Sequence, residues 1–331
     1  MDLARRTLCD VVATCGVEIA DEPRRLENLL NDLCGEERRA IFVLTHAARA
    51  RIPDELTQAA VRRAPTLQIE RSARRLVEAY GFGEEIARWA VEAWALALGA
   101  AQPNGEPLTV CAQGRGRYHS IAEALRAAPP WSRIEVLPGR YPESLVVDRP
   151  VELVALGRPG EVVLDVAGAS GVRLEAEYAL LRGLTVSSSL STPAISPVGC
   201  TREAARTLFA VDVPQGELLM EDCRVLAGEL AGVAVRGRAA SVTLRRCHVS
   251  GARQTGVYVS LGDAGTLTDC DIEQNGGAGV EIGWQGSPVL RRCRVRGNGT
   301  YGIHIYAGGE SAVDDCDLTG NRLGAWSVEE G

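Results

Sequence analysis

A repeat of 23 residues runs through the second half of this 331-residue chain. Residues 290–306 read LRRCRVRGNGTYGIHIY, and the stretch that begins 23 residues earlier reads LTDCDIEQNGGAGVEIG. Both stretches keep Leu, Cys, Asn and Gly at the same places, whereas their charged residues have opposite signs. A constant period in the low twenties, built from short β-rich strings, is typical of a β-solenoid in which each repeat forms one coil.

Equivalent positions of such a repeat stack at strand spacing, about 4.8 Å, so each position becomes a ladder. We predict two structural ladders, one of cysteines and one of asparagines that follow the cysteines by five residues. Their members are Cys223, Cys247, Cys270, Cys293 and Cys316, and Asn275, Asn298 and Asn321. We expect the thiols to be free, because the cysteines recur as small buried residues of a regular core.

The charged residues beside these cysteines alternate in sign from one coil to the next. The acidic groups are Glu221 with Asp222, which Arg224 follows, Asp269 with Asp271, and Asp314 with Asp315 and Asp317; the basic groups are Arg245 with Arg246 and His248, and Arg291 with Arg292 and Arg294. Opposite charges on neighbouring strands stabilise a sheet by a few tenths to about 1 kcal/mol per pair. We therefore interpret the inverted charges as a device that sets the register, and not as a catalytic carboxylate cluster.

The first hundred residues have a different, helical period. Segments such as RRLENLLNDLC and EEIARWAVEAWALALG place apolar residues at three- and four-residue spacing. We predict an all-α bundle over residues 1–100, a linker over 101–107 and an all-β domain over 108–331. Within the β domain we expect a capping helix at 120–127 and an insertion at about 187–216.

Composition narrows the classes of function. The net charge is −7 and no basic block is present, so we expect no nucleic-acid partner. The sequence has no apolar run of membrane-spanning length and no signal peptide, so we expect no membrane partner and a cytoplasmic location. We predict no cofactor and no metal site, because the acidic clusters alternate with arginine.

The helical segment resembles a domain of bacterial multidomain signalling and conflict proteins. The resemblance lies at Leu33, Cys34 and Gly35, and in the stretch WAVEAWALALG that begins at Trp89. It implies that residues 1–100 bind a protein partner as an adaptor, without chemistry of their own.

The start of the β domain carries a second resemblance. Residues 114–157, GRGRYHSIAEALRAAPPWSRIEVLPGRYPESLVVDRPVELVALG, resemble the beginning of pectate-lyase-like right-handed parallel β-helices, among them pectin methylesterases and the carbohydrate-binding and sugar-hydrolase repeat proteins. The resemblance implies a right-handed parallel β-helix of about 23 residues per coil over 108–331. It does not extend to chemistry, because the paired Asp, the Gln and the Arg of pectin methylesterases and the Gly-His-Gly of pectin hydrolases have no match here.

One row of predicted outward side chains follows the coil glycines and is rich in aromatic and polar groups. We predict a ligand face made of Tyr258, Glu281, Trp284, Tyr301, His304 and Tyr306. Such a face suits a carbohydrate or a peptide, although packing of loops on the sheet is the alternative interpretation. We also expect that the C-terminal end of the solenoid, whose strands would be unpaired, forms a homodimer or is covered by a partner.

Two hypotheses of function follow. The first is a non-catalytic recognition protein of a bacterial signalling or defence system, in which the β-helix presents a binding face and the helical domain couples it to a partner. The alternative is a polysaccharide-acting enzyme, a lyase, hydrolase or epimerase. Its catalytic candidates are Glu281 and His304, which adjacent coils would bring within hydrogen-bonding distance for proton abstraction.

Overall fold

The structure is a computed structural model that describes residues 2–61, 65–99, 107–114, 116–130, 132–189, 209–261 and 265–329. Backbone contacts divide the chain into two compact units, Met1–Gly105 and Glu106–Gly331. Each unit has its own hydrophobic core. Across these described ranges, no helix combines the length and apolar character that a membrane span needs.

The first unit consists of helices, as its apolar spacing predicts. They are α1 (Asp2–Cys15), α2 (Pro23–Cys34), α3 (Arg38–Arg49), α4 (Ile52–Val61), α5 (Pro65–Tyr80) and α6 (Glu84–Ala97), with a 3-10 helix at Val17–Asp21. Pro23 suits the first turn of α2, where its missing N–H leaves no hydrogen bond unmade. Trp94 of α6 is fully buried, and its indole N–H donates to the Leu44 carbonyl oxygen of α3 at 3.0 Å. This contact ties two helices together at the centre of the core.

The second unit is built from three parallel sheets. Sheet A contains β1 (Leu108–Val110), β2 (Ser132–Val136), β5 (Val151–Ala155), β8 (Tyr178–Arg182), β11 (Gly216–Glu221), β14 (Ala240–Arg245), β17 (Thr266–Thr268), β20 (Val289–Arg291) and β23 (Ala312–Asp314). Sheet B contains β3 (Gly139–Tyr141), β6 (Val162–Ala167), β9 (Thr185–Ser189), β12 (Arg224–Gly228), β15 (His248–Ala252), β18 (Asp271–Glu273) and β21 (Arg294–Arg296). Sheet C contains β4 (Leu145–Val147), β7 (Val172–Leu174), β10 (Phe209–Val213), β13 (Ala231–Val235), β16 (Thr255–Ser260), β19 (Val280–Gly283), β22 (Tyr301–Ile305) and β24 (Gly324–Val328).

The chain visits the three sheets in turn, so each circuit forms one coil of a parallel β-solenoid. Strands pair in the register of the repeat: Val257 lies beside Val280, and Val280 beside Ile303. These side chains point inward and are fully buried, as are the valines and isoleucines that stack in sheet B. The predicted order of an all-α bundle followed by an all-β solenoid of about 23 residues per coil is confirmed.

A short helix, α7 (Ile121–Ala127), packs against β1, β2 and β4 at the start of the solenoid. The Ser120 hydroxyl accepts a hydrogen bond from the Glu123 backbone N–H at 3.2 Å, which is the usual side-chain cap of a helix N-terminus. The Glu143 carboxylate accepts from the backbone N–H groups of Ile121 and Ala122 at 2.8 and 3.0 Å. The helix therefore begins where its free N–H groups meet an acidic side chain.

The insertion expected at about 187–216 is shorter than predicted, because both ends of this segment belong to regular strands. Residues 187–189 extend β9 in sheet B, and residues 209–213 form β10 in sheet C. The reason is that Val211 and Val213 fill the same inward positions as Val233 and Val235 of the next coil. Residues 190–208, which include the middle of the expected insertion, lie outside the described residues.

The asparagine ladder is a continuous chain of side-chain amides inside the solenoid. The Asn298 Oδ1 atom accepts from the backbone N–H and the Nδ2 group of Asn275 at 3.1 and 3.0 Å. Asn321 Oδ1 accepts the same two bonds from Asn298, both at 3.0 Å. A Cβ atom on Gly279 would lie 2.7 Å from the Asn298 Nδ2 atom, so the coil glycine leaves the space that the amide occupies. Asn and Gly therefore recur together because they interlock.

The cysteines also stack along the solenoid. Cys223, Cys247, Cys270 and Cys293 are buried, Cys316 is half-buried, and all five are free thiols. Their Sγ atoms face backbone carbonyl oxygens of the same and the preceding coil, as for Cys270 with Thr268 at 3.3 Å and Leu244 at 3.5 Å. A thiol fits here because it is small, fills the core and donates weakly to a carbonyl group.

We predict that Asn298→Ala destabilises the solenoid by about 1–3 kcal/mol, because buried donors and acceptors lose their partners. The matched control is Asn321→Ala, since Asn321 is half-buried and water can replace its bonds; we expect a smaller loss. Hydrogen exchange of β18–β22 in increasing urea measures both changes separately from unfolding of the helical unit. Equal losses in the two variants would contradict the importance of burial along this ladder.

Candidate ligand-binding face

The outward side of sheet C carries three of the six predicted ligand residues in register, namely Tyr258, Glu281 and His304. Its middle row consists of Asp212, Ala234, Tyr258, Glu281, His304 and Ser327, one residue for each successive strand from β10 to β24. A second row beside it contains Phe209, Ala231 and Thr255. The repeat thus brings aromatic, acidic and hydroxyl side chains from separate coils onto one surface, which we call the ligand face.

Glu281 is held at the centre of the ligand face by a hydroxyl group. The buried Thr255 Oγ1 atom of the preceding strand donates to Glu281 Oε2 at 2.5 Å. Tyr306 lies near this carboxylate and donates its hydroxyl hydrogen to the Tyr258 hydroxyl oxygen at 3.4 Å. Burial, followed by the hydrogen bond to Tyr258 and the nearby Glu281 carboxylate, raises the pKa of Tyr306 far above its ordinary value. Tyr306 therefore remains a hydrogen-bond donor throughout the physiological pH range.

The position of Tyr306 depends on a glycine of the preceding coil. A Cβ atom on Gly283 would lie 2.5 Å from the Tyr306 ring. With hydrogen at that place, the ring approaches the backbone of β19 and its hydroxyl reaches the centre of the face. Gly283 is thus required by the ring that packs on it.

His304 is the middle one of three stacked rings, two on β22 and one directly after it. Its ring centroid lies 6.0 Å from that of Tyr301 and 5.5 Å from that of Tyr306, with interplanar angles of 16° and 29°. The His304 Nδ1 atom is buried and has no hydrogen-bond partner in the described part of the chain, whereas Nε2 lies 3.7 Å from the Glu329 carboxylate. The stacking fixes the imidazole between two aromatic rings.

The expected hydrogen-bonded pair of Glu281 and His304 is not formed, which corrects that prediction. The two residues lie side by side on the neighbouring strands β19 and β22. However, the Glu281 carboxylate bonds to Thr255, and the imidazole is turned by its ring neighbours toward Glu329. Adjacent positions in a register place two Cα atoms close together, but competing partners decide where the side chains point.

Trp284 lies at the edge of this face. It follows β19 in a left-handed backbone conformation, with a φ angle of 50°, and 57% of its side chain is exposed. A bulky residue at positive φ is uncommon and is held in place by the surrounding structure. Trp284 is therefore a large aromatic side chain exposed at the surface.

Two groups on this face were missed by the sequence analysis. Thr255, the partner of Glu281, directly precedes a coil glycine, so the repeat itself could have identified it.

The second group is centred on Asp212. Asp212 is buried and accepts from Arg236 through two hydrogen bonds of 2.9 Å, and from Arg173 at 2.5 Å. The Arg236 guanidinium also lies 4.8 Å from the centre of the Phe209 ring. Because β10 precedes the regular part of the repeat, no sequence periodicity pointed to this cluster.

The alternating charges lie on other surfaces and form ion pairs between coils. Three arginines each bond bidentately to an aspartate of the preceding coil, at distances of 2.5–2.9 Å. The pairs are Arg246 with Asp222, Arg292 with Asp269, and Arg294 with Asp271. These groups neutralise one another, and within the described ranges no three His, Cys, Asp or Glu side chains gather as metal ligands do. These ion pairs therefore stabilise the register in which neighbouring coils stack.

Residues 171–331 match the family model of the right handed beta helix region. The coils of the second unit are thus those of a right-handed parallel β-helix, as the sequence predicts. No curated protein matches the chain.

Solved structures of β-helix enzymes resemble this β-helix distantly. They include the pectin methylesterase of Erwinia chrysanthemi, with 13% identity over 64% of this chain and 82% of that chain, and a TM-score of 0.41. The pectin methylesterase of Aspergillus niger has 14% identity over 70% of this chain and 92% of that chain, with a TM-score of 0.43. An alginate lyase of a Paenibacillus species has 11% identity over 63% and 96%, with a TM-score of 0.30. At these values the similarity carries no argument about activity.

We predict that Arg292→Asp lowers the stability of the β-helix by about 1 kcal/mol, because it replaces an exposed ion pair with like charges. Chemical denaturation measures the change, and 1 M salt should reduce it because exposed charges are screened. Arg322→Asp is the control, since Arg322 is exposed and forms no ion pair in the described part of the chain. An equal effect of both substitutions would show that net charge, not the pairing, matters.

We also predict that the β-helix loses stability as the pH falls below about 4. The hydrogen bonds from Arg292 and Arg294 hold the pKa values of Asp269 and Asp271 below the ordinary value of an aspartate. Depressed pKa values stabilise the folded state above the unfolded pKa, and this contribution disappears as pH falls through the folded value. The double variant Asp269→Asn/Asp271→Asn should be less stable at pH 7 and depend less on pH between 5 and 3, as measured by denaturation at each pH. An unchanged pH dependence would contradict the role of these two carboxylates.

Proposed function

We propose that this chain is a non-catalytic recognition protein that binds a carbohydrate or an extended peptide on the ligand face of its β-helix. The observation that carries the proposal is the hydrogen-bonded group of Thr255, Glu281, Tyr306 and Tyr258, drawn from consecutive coils. Oriented hydroxyl and carboxylate groups beside aromatic rings can bond to the hydroxyl groups of a sugar while a ring packs on its apolar face.

The contacts of Glu281 and His304 support binding more than proton transfer. A general base must lie within hydrogen-bond reach of the proton that it removes and be free to accept it. Here the Glu281 carboxylate already accepts a short hydrogen bond from Thr255, and His304 is stacked between tyrosines. A rigid, satisfied carboxylate is suited to orienting a ligand.

We further propose that the helical unit couples this recognition to a protein partner in a bacterial signalling or defence system. Its support is the resemblance of residues 1–100 to adaptor domains of such systems. The unit has its own compact core, so its surface can serve a partner independently of the β-helix.

One observation favours the alternative of a polysaccharide-acting enzyme. His304 has a buried Nδ1 atom without a partner in the described residues, two aromatic rings beside it and a carboxylate within 3.7 Å of its other nitrogen. An unpartnered buried nitrogen is costly and can mark a functional group. In that case His304, and not a Glu281–His304 pair, would exchange the proton with the substrate.

We predict that Tyr306→Phe and Glu281→Gln each weaken ligand binding about tenfold, because each removes an oriented hydrogen-bonding group at the centre of the face. Titration calorimetry with a panel of neutral and acidic oligosaccharides and peptides, using the full-length chain, measures the change. Glu273→Gln is the matched control, because it removes a carboxylate from sheet B.

Turnover assays with the same panel separate the two functions. The expected result is binding without turnover, which Tyr306→Phe weakens and Glu273→Gln leaves unchanged. Turnover that His304→Ala abolishes would replace the recognition proposal with the enzymatic one. If the chain binds none of the probes, or if the two variants bind as the wild type does, the ligand face is not the binding site.

A further inference from the structure

Glu281, at the centre of the ligand face, is a carboxylate without a cation beside it. On other outward positions of the β-helix, Asp212 and Glu221 are buried, and each bonds to two arginines of the neighbouring coils. Glu281 is half-buried, and within the described part of the chain no arginine or histidine forms an ion pair with it. A carboxylate that is partly withdrawn from water is stabilised by a cation at hydrogen-bonding distance, and the protein leaves that place open.

The neighbours of Glu281 explain why its countercharge is missing. In the register it lies between Tyr258 and His304, whereas the ion-paired rows of the other sheets place arginine at such positions. The His304 imidazole is turned toward a different carboxylate, which lies 3.7 Å from its Nε2 atom. On the same side of sheet C, the guanidinium groups of Arg173 and Arg236 are both bound to a buried aspartate. Among the described residues, the centre of the ligand face is therefore negatively charged.

Aromatic rings lie beside this carboxylate. Tyr306 packs over Gly283, and its hydroxyl group lies 3.4 Å from that of Tyr258. Both tyrosines are half-buried, so part of each ring remains accessible. A cation is attracted to the face of an aromatic ring, and a carboxylate adds a charge-assisted hydrogen bond. The combination suits an ammonium group, whereas a ligand that carries carboxylates is repelled by Glu281.

The architecture of sheet C favours a sugar over a peptide. An extended peptide binds a sheet through main-chain hydrogen bonds at a free strand edge. The strands β16, β19 and β22, which carry the ligand face, each have a paired strand on both sides. The face therefore offers only side chains, and its hydroxyl groups and rings match the hydroxyl groups and apolar ring face of a sugar.

We propose that the ligand of this face is an amino sugar, which is a saccharide that carries a protonated amine. Its ammonium group donates hydrogen bonds to the Glu281 carboxylate, and its apolar ring face packs on a tyrosine ring of the ligand face. Saccharides that carry carboxylates are disfavoured by the same charge. This ligand class rests on the recognition function proposed above and narrows it to one kind of carbohydrate.

Matched oligosaccharides test the role of the charge. Tetramers of glucosamine, N-acetylglucosamine and galacturonic acid are positive, neutral and negative, and a lysine tetramer is the peptide probe. Their binding to the full-length chain is measured by titration calorimetry at mildly acidic pH, at which the sugar amines are protonated. We expect the glucosamine tetramer to bind about tenfold more tightly than its acetylated counterpart, and the galacturonic acid tetramer to bind most weakly.

Three variants separate charge from shape. Glu281→Gln should abolish the preference for glucosamine, because glutamine keeps the shape of the side chain and removes its charge. Tyr306→Phe should weaken both glucosamine and N-acetylglucosamine binding by a similar factor and keep the preference. Glu273→Gln, on sheet B, should change neither. A preference that persists in Glu281→Gln would arise from the size of the acetyl group and would overturn recognition of the amine by Glu281.

The remaining outcomes distinguish the ligand class from the recognition function. If the three sugar tetramers bind equally and Tyr306→Phe weakens them all, the amino-sugar proposal is wrong but the recognition function stands. If only the lysine tetramer binds and Glu281→Gln weakens it, the ligand is a basic peptide and not a sugar. If none of the probes binds, both the ligand class and the recognition function are contradicted.

Discussion

The β-helix depends on one constraint, which is that residues one repeat apart must stack directly on each other about 4.8 Å apart. Every inward position then meets its own equivalent, so only residues that pack on copies of themselves can recur. Valine, isoleucine, cysteine and asparagine meet this condition in the core, asparagine because its amide both donates and accepts. A charged residue cannot stack on its own kind, and this explains why the sequence keeps its core residues and inverts the charged ones from coil to coil.

The ligand face follows from the same constraint. Thr255, Glu281 and Tyr306 belong to different coils and are distant in sequence, but the register places them together on sheet C. On the outward side of sheet C the residues are not repeated from coil to coil. They change from alanine to tyrosine, glutamate and histidine along one row. A surface with distinct side chains on an otherwise regular scaffold is what specific recognition requires. The ion-paired residues, by contrast, satisfy one another and leave little for a ligand.

Much of this architecture could be predicted from the sequence, because a period of 23 residues determines strand pairing. The stacking of the cysteines and asparagines and the row from Ala234 to Ser327 follow from counting residues. Side-chain direction could not be obtained in that way. Both Thr255 and His304 lie on strands that neighbour the strand of Glu281. The Glu281 carboxylate bonds to the buried hydroxyl group of Thr255 and not to the imidazole of His304. Likewise, the strands around the expected insertion depended on how Val211 packs inside the solenoid, which local composition did not reveal.

The asparagine chain has a direction, because the Nδ2 groups of Asn275 and Asn298 each donate to the Oδ1 atom of the asparagine in the following coil. Its amide dipoles therefore align head to tail along the solenoid axis and polarise one another. A coil can be duplicated or removed as a whole without interrupting this line, whereas a change of one residue between two asparagines would move an amide out of it. The interior of such a protein therefore tolerates the gain or loss of whole repeats. Substitutions are tolerated mainly at its outward positions.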